Sequence, residues 1–243
     1  MNSFKAILFD ADNTLFNNDG IHEAVTQEIL TALGMEGVNA LHVHEKWDEW
    51  YFSEQNRFLE EQGYCIDREN FARSLVLTLD DFEYTLTEDE AANFWQFMAK
   101  YYREKSTTFP EVKPFLTFLK KYHIKTAIVS NGDPDLIKER LQRANIEHHF
   151  EFIHAPCNHF PYSKPAKEIF LRSLDKIQAQ SDQTIFVGDN PTSDIQGANE
   201  VGMFTVLIDR HKKHQSLPAP QNPDLRITDF SELQDFLKHK LEK

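Results

Sequence analysis

The stretch Phe4-Lys5-Ala6-Ile7-Leu8-Phe9-Asp10-Ala11-Asp12-Asn13-Thr14-Leu15-Phe16 decides the fold. Its first half, Ala6 to Phe9, is a short apolar run without polar alternation, the pattern of a buried strand. Its second half places two carboxylates, Asp10 and Asp12, where that strand ends. Three more runs read the same way: Thr126 to Val129, Thr184 to Val187 and Phe204 to Ile208. Helical patterns at Val112 to Leu119, Leu136 to Leu141 and Ile169 to Leu174 separate the later strands, and this alternation predicts right-handed crossovers and a mostly parallel sheet. The expected fold is α/β: a doubly wound parallel sheet with a second, all-helical part. A last helix is expected after Ser231, with Gln234 completing a capping box ahead of Leu233, Phe236, Leu237 and Leu241.

Residues 17–107 interrupt the rhythm. They carry long helical patterns, among them Leu41 to Gln62 and a segment opened by a Thr87/Glu90 capping box, and no convincing strand. A helical cap of residues 17–107 inserted into a core of 1–16 and 108–243 is the expected organisation, with the chain returning near Phe109 and Pro110. Seven Lys and Arg against nineteen Asp and Glu give the insert a charge of −12, nearly all of the chain's −13. All three tryptophans (Trp47, Trp50, Trp95) and five of the seven tyrosines lie in it. Aromatic residues at helical spacing are read here first as core. The proline-rich segment Leu217 to Pro223 reads as a surface connection.

Composition narrows the function. With 243 residues, 40% hydrophobic and 27% charged, and only 8 Gly and 10 Pro, the chain has the apolar area of a folded protein. A charge of −13 disfavours nucleic-acid polymers as partners. No run approaches a membrane span and no signal peptide is visible, so a cytoplasmic protein is expected. Cys65 and Cys157 lack metal-type spacing and are expected to be reduced. The eleven histidines form no convincing ligand set: His44-Glu45-Lys46-Trp47-Asp48 has an aspartate where a zinc-protease helix needs its second histidine, and His211 and His214 lack a third ligand nearby. Dinucleotide-binding, P-loop and serine-elbow motifs are missing from the sequence.

The remaining polar residues converge. Strand ends carry Asp10-Ala11-Asp12-Asn13-Thr14, Ser130-Asn131-Gly132 and Gly188-Asp189-Asn190, with Asp194 five residues after Asp189; Lys164-Pro165 opens an intervening helix. In an open parallel sheet these ends share one edge, where ligands bind. Carboxylates gathered there raise one another's pKa values unless a cation joins them. A hard divalent ion such as Mg²⁺ fits an all-oxygen set and usually takes carboxylates plus substrate phosphate. Lys164 adds positive charge, and Thr14, Ser130 and Asn131 are neutral donors, so the edge suits a phosphoryl group. A carboxylate can then serve as nucleophile and a second as acid and base.

The order DADNT, SNG, KP, GDNPTSD resembles the four motifs of the haloacid dehalogenase-like hydrolase superfamily, and specifically its phosphatases with a helical cap after motif one. That resemblance implies Asp10 as nucleophile, Asp12 as general acid/base, Thr14 and Ser130 as phosphate binders with Asn131 beside them, and Lys164 as charge neutraliser. It implies Mg²⁺ held by Asp10, the main-chain carbonyl of Asp12 and Asp189, with Asp194 in support. The approach to Lys164, His159 to Ser163, departs from the acidic-Gly approach of many members. A small phosphomonoester is the implied substrate. Motif one is similar to that of bacterial pyrimidine 5′-nucleotidases, and Trp47, Trp50 and Tyr51 offer a surface for a base. Sugar-phosphate phosphatase and phosphomutase remain alternatives; dehalogenation leaves Asp12 without a task, and a catalytically idle binding module leaves the whole set unexplained.

Overall fold

The computed structural model describes residues 4–35, 37–214 and 216–241. Strand β1 (Ala6–Phe9) is followed by a short β2 (Phe16–Asn17), then by helices α1 (Ile21–Ala32), α2 (Ala40–Gln62), α3 (Asp67–Asp80), α4 (Glu88–Asn93) and α5 (Trp95–Glu104). A short β3 (Thr107–Thr108) leads into α6 (Val112–Lys121), β4 (Lys125–Val129), α7 (Pro134–Arg143), β5 (Ile153–His154) and α8 (Lys167–Ile177). The chain ends with β6 (Thr184–Gly188), α9 (Gly197–Glu200), β7 (Phe204–Ile208), β8 (Leu225–Ile227) and α10 (Phe230–Leu241).

Six strands form one sheet in the order β5-β4-β1-β6-β7-β8, every neighbouring pair parallel. β1 is central, and Phe9 lies opposite both Ile128 and Val187, so the carboxyl ends of β1, β4 and β6 are level. The four β1 residues are fully buried because each face of the sheet is covered. Ile7 and Phe9 pack with α6, α7 and α10 on one face. Ala6 and Leu8 pack with Phe170 and Ile169 of α8 on the other. Burying a side chain the size of Phe9 or Leu8 contributes about 1.5–3 kcal/mol, which is why an apolar run this short holds the centre.

Helices α1 to α5 enclose a separate apolar cluster in which Val25, Trp47, Phe71, Leu75 and Trp95 meet, joined by Leu136 of α7. Phe71 stands edge-on to Trp47 and Trp95, with ring centres 5.0 and 5.2 Å away. The core reading of the aromatics from Trp47 to Phe58 holds for Trp47, whereas Phe52 is 51% exposed and Trp50 and Phe58 are half-buried. Asn39 caps α2 by accepting from the amides of Leu41 and His42, and Gly63, at φ 79°, ends it in the left-handed conformation. The Thr87/Glu90 capping box is present. The acidic residues of the helices face outward; among the described ones from 17 to 107 only Glu28, Glu54 and Asp67 are not exposed. β2 and β3 pair antiparallel, Phe16 opposite Thr108, where the chain leaves for the helices and returns.

Two local expectations are corrected. α10 begins one residue before Ser231, and the capping acceptor is Asp229, whose carboxylate takes the Ser231 amide at 2.7 Å while Glu232 takes that of Thr228. An ionised acceptor two residues earlier displaces the Ser231/Gln234 box. Strands β5 and β8, two and three residues long, are too short to show a period. The Leu241 side chain lies outside the described residues. Both cysteines are free, Cys65 buried. Among the described residues, no helix is long and apolar enough to cross a membrane.

Candidate active site

Asp10 follows β1 directly, its amide donating to the Val187 carbonyl of β6 at 2.9 Å. Its carboxylate is buried and meets the Lys164 ammonium, whose Nζ lies 2.6 Å from Asp10 Oδ1 and 2.6 Å from Asp194 Oδ1. Lys164 is 2% exposed, so both contacts are made away from bulk water. The second oxygen of Asp194 accepts from the Asn190 amide at 2.9 Å. Asp10, Asp189 and Asp194 bring one ligand oxygen each within 4.8 Å of one another, and no other group of this kind occurs among the described residues. Gly188 makes this approach possible: a Cβ there would lie 2.2 Å from an Asp194 carboxylate oxygen.

The electrostatics of the cluster follow from that crowding. Burial, reinforced by Asp194 and Asp12, pushes the Asp10 carboxyl up to about 7 despite Lys164. Burial with Asp10 and Asp194 pushes Asp189 well above the ordinary carboxylate range. Burial lowers the pKa of Lys164, but its two carboxylate partners outweigh this and it stays charged. One ammonium thus stands among three carboxylates. The oxygen-only donor set fits a hard divalent cation such as Mg²⁺, and Asp10 and Asp189 have oxygens to offer once Asp194 is engaged by Lys164 and Asn190.

Asp12 lies beside this cluster with its own partners. Its Oδ1 accepts from Arg140 Nη1 at 2.6 Å and from Asn18 Nδ2 at 2.6 Å. Burial opposes ionisation, but the Arg140 charge and the two hydrogen bonds outweigh it and hold the carboxyl below its usual range. Ser130, at the end of β4, is buried, and its hydroxyl accepts from the Gly132 amide at 3.2 Å. A Cβ on Gly132 would sit 3.0 Å from Asp12 Oδ2 and 3.6 Å from Ser130 Oγ, so motif two abuts motif one.

Two expected donors are placed otherwise. The Asn131 amide spends both ends on the main chain of Lys164, donating to its carbonyl at 2.9 Å and accepting from its amide at 2.8 Å. Its side chain holds the lysine loop rather than facing a phosphate. Thr14 is fully buried, its hydroxyl has no partner among the described residues, and its carbonyl accepts from Arg210.

A cavity of about 360 Å³ borders motif one at Asn13 and is walled mainly by the helices, through Trp47, Tyr51, Phe71, Trp95 and Tyr102. His22, His44, Asp48 and Asp67 add polar edges, and Lys213 reaches it from the loop after β7. Tyr51 donates to Asp67 Oδ1 at 2.6 Å. Burial, with Asp12 and Asp133 adding to it against the Tyr51 bond, raises Asp67 to about 6. Trp50 is elsewhere: its Nε1 donates to Asp81 at 2.7 Å and it does not line the cavity. Sequence reasoning overlooked Arg140, Asp67, His22 and Tyr102. Arg140 alone left a trace, a charge on the same helix face as Leu136, Ile137 and Leu141.

The sequence pattern of the haloacid dehalogenase-like hydrolases matches residues 4–202. The chain belongs to that family. A phosphoserine phosphatase of Thermus thermophilus is 30% identical over 131 residues, 54% of this chain and about half, 51%, of that protein. A glyceraldehyde 3-phosphate phosphatase of Methanopyrus kandleri is 26% identical over 240 residues, 96% of this chain and 97% of that one. Among solved structures, the magnesium-bound HAD-hydrolase YfnB of Bacillus subtilis shares the fold with a TM-score of 0.81 at 18% identity, covering 98% of this chain and 100% of that one. With this membership and these relatives, the protein is a phosphoric monoester hydrolase.

Proposed function

We propose that the protein hydrolyses small phosphomonoesters through an aspartyl-phosphate on Asp10, with Mg²⁺ as cofactor. The observation that carries this reading is the buried Asp10-Lys164-Asp194 contact beside Asp189, with an aromatic-walled cavity bordering the same loop at Asn13. An Asp10 oxygen attacks phosphorus and the bond to the leaving oxygen breaks, that oxygen taking its proton from Asp12. A water then attacks the phosphoryl group, giving its proton to Asp12, and inorganic phosphate leaves as Asp10 is restored. Arg140 favours the ionised form of Asp12 before substrate arrives; the phosphate entering beside it adds negative charge that favours the protonated form. Lys164 and the Ser130 hydroxyl meet the phosphoryl oxygens. Asp10, Asp189 and the main-chain carbonyl of Asp12, with Asp194 in support, would hold Mg²⁺, which would supply further positive charge against the transferring group.

In this reading residues 17–107 are a cap that closes over a core of 1–16 and 108–243, and the antiparallel β2–β3 ribbon at their junction supports the division. Most acidic residues of the helices are exposed, and Asp48 and Asp67 are the ones that line the cavity. The aromatic walls of the cavity favour a nucleoside monophosphate, whose base presents a flat face. Phosphosugars are the second reading, favoured by the full-length relative that acts on glyceraldehyde 3-phosphate and by the polar edges at His22, Asp48 and Asp67.

The test is a turnover assay with p-nitrophenyl phosphate, with and without Mg²⁺, followed by acid quench and mass spectrometry of the Asp10 peptide. A metal-dependent rate with a phosphoryl group on Asp10 is expected; Mg²⁺-independent turnover with no labelled Asp10 refutes the mechanism. For the substrate, kcat/KM for UMP, dUMP or dTMP is expected to exceed that for hexose 6-phosphates and glyceraldehyde 3-phosphate by about tenfold, or about 1.4 kcal/mol. The reverse order establishes the phosphosugar reading.

A further inference from the structure

We infer that Arg140 is a positioning residue that aims Asp12 at the leaving oxygen and ties it to the two chain segments joining core and helices. The inference rests on the proposed role of Asp12 as acid and base. Arg140 projects from α7 and is 2% exposed. Its guanidinium lies between the rings of Phe16 and Tyr102, 4.6 Å from each centre. Clamped this way, a planar cation has one orientation, and Nη1 meets Asp12 Oδ1 at 2.6 Å. Asn18 donates to the same oxygen. Ser106 donates to Asn18 Oδ1 at 2.8 Å and lies 3.4 Å from Arg140 Nη1. Both donors therefore fall on Oδ1. Oδ2 has no hydrogen bond among the described residues, points toward Gly132, and belongs to a carboxylate still 27% exposed. That leaves one oxygen free to carry the proton, on the side where a phosphoryl group would sit.

The placement of the other partners gives this node a second task. Asn18 directly follows β2 and Ser106 directly precedes β3, the two points where the chain passes between sheet and helices. Tyr102 belongs to α5. A displacement of the helices relative to the sheet would draw on the same hydrogen bonds that orient Asp12. Its aim is thus linked to the position of the helices.

The experiment compares an activated substrate, p-nitrophenyl phosphate, with an alkyl phosphate whose leaving oxygen needs a proton, in Arg140→Lys, Asp12→Asn and the double variant. Lysine keeps the charge but loses the planar stack and the fork. Arg140→Lys is expected to lower kcat on the alkyl ester about tenfold or more and on p-nitrophenyl phosphate less than about threefold, with KM little changed. In the Asp12→Asn background the same substitution is expected to have no further effect on kcat. Equal losses on both substrates, or losses that add in the double variant, overturn the inference and leave a structural arginine. If Arg140→Lys fails to fold by circular dichroism, Asn18→Ala takes its place and must show the same leaving-group bias in weaker form. An Asp12→Asn variant without that bias removes the acid/base role itself, and the positioning role with it.

Discussion

The sheet edge and the helical wall that faces it are built on opposite principles. At the edge, Asp10, Asp189, Asp194 and Lys164 are packed so closely that burial and like charge raise two of the carboxyl pKa values, and one ammonium holds the arrangement. Around the cavity at Asn13, Trp47, Tyr51, Phe71 and Trp95 form an aromatic surface whose polar groups are partly paired, Tyr51 with Asp67 and His22 with Tyr102, while Trp95 Nε1 and His44 Nδ1 are buried without a hydrogen-bond partner among the described residues. The edge holds like charges close together, which a bound cation would relieve; the wall offers shape. Substitutions at the edge should therefore remove chemistry and spare stability. Substitutions in the wall should alter substrate preference or packing.

The sharpest test of this contrast is Asp10→Asn. Turnover is expected to fall by at least about a thousandfold, because an amide cannot attack phosphorus. The melting temperature is expected to hold or rise as like-charge crowding is relieved. A variant that keeps a substantial fraction of the wild-type kcat breaks the nucleophile assignment; one that loses both activity and fold breaks the contrast.

Asp189→Asn comes next. It is expected to move the Mg²⁺ midpoint for activity by about tenfold or more, and chelation should silence the wild type, with Ca²⁺ a poor substitute. Equal metal midpoints in wild type and variant reject Asp189 as a ligand.

The wall is probed by a pair of variants. Tyr51→Ala is expected to lower kcat/KM several-fold, mainly through KM, while Trp50→Ala, bonded to Asp81 away from the cavity, is expected to leave it within about twofold. A larger loss in Trp50→Ala than in Tyr51→Ala would place the substrate elsewhere.

The last expected effect lies in neither region and serves as a control for pH. His154 on β5 is buried against Phe160, its Nδ1 2.8 Å from Ser173 Oγ, and burial, helped by Lys176 and Arg172, lowers its pKa from 6.5 to about 4. A depressed pKa means that the unfolded chain takes the proton first. The stabilisation is complete above pH 6.5 and declines as pH falls toward 4, by at most about 3 kcal/mol. Thermal melts between pH 7 and 4 should show His154→Phe losing less stability on acidification than the wild type. Parallel curves would reject the assignment.

Much of this molecule could be read from residue order. The four long strands are apolar on both faces because both faces are covered, so their runs stand out; β5 and β8 are too short to do so. Asp10 and Asp189 were legible because each stands at the end of a strand, and parallel pairing levels those ends; Lys164 was legible from its place in the motif order, although it stands in a turn ahead of α8 rather than opening that helix. Asn131 was legible as a polar residue at a strand end but not as the clamp on Lys164, thirty-three positions away. Thr14 was legible by its place in the motif, but not the full burial of its unpartnered hydroxyl.

What the sequence by itself determined is the parallel sheet, the helical insert and the identity of the charged residues at the edge, because hydrophobic period and turn chemistry act over a few neighbouring residues. The tertiary structure decided the rest: which oxygen of Asp12 is held, by an arginine 128 positions away, that Trp50 turns from the cavity while Tyr51 lines it, and that the acidity of the helices points outward. A polar side chain's partner is chosen by how whole helices pack, and that packing depends on every apolar face at once.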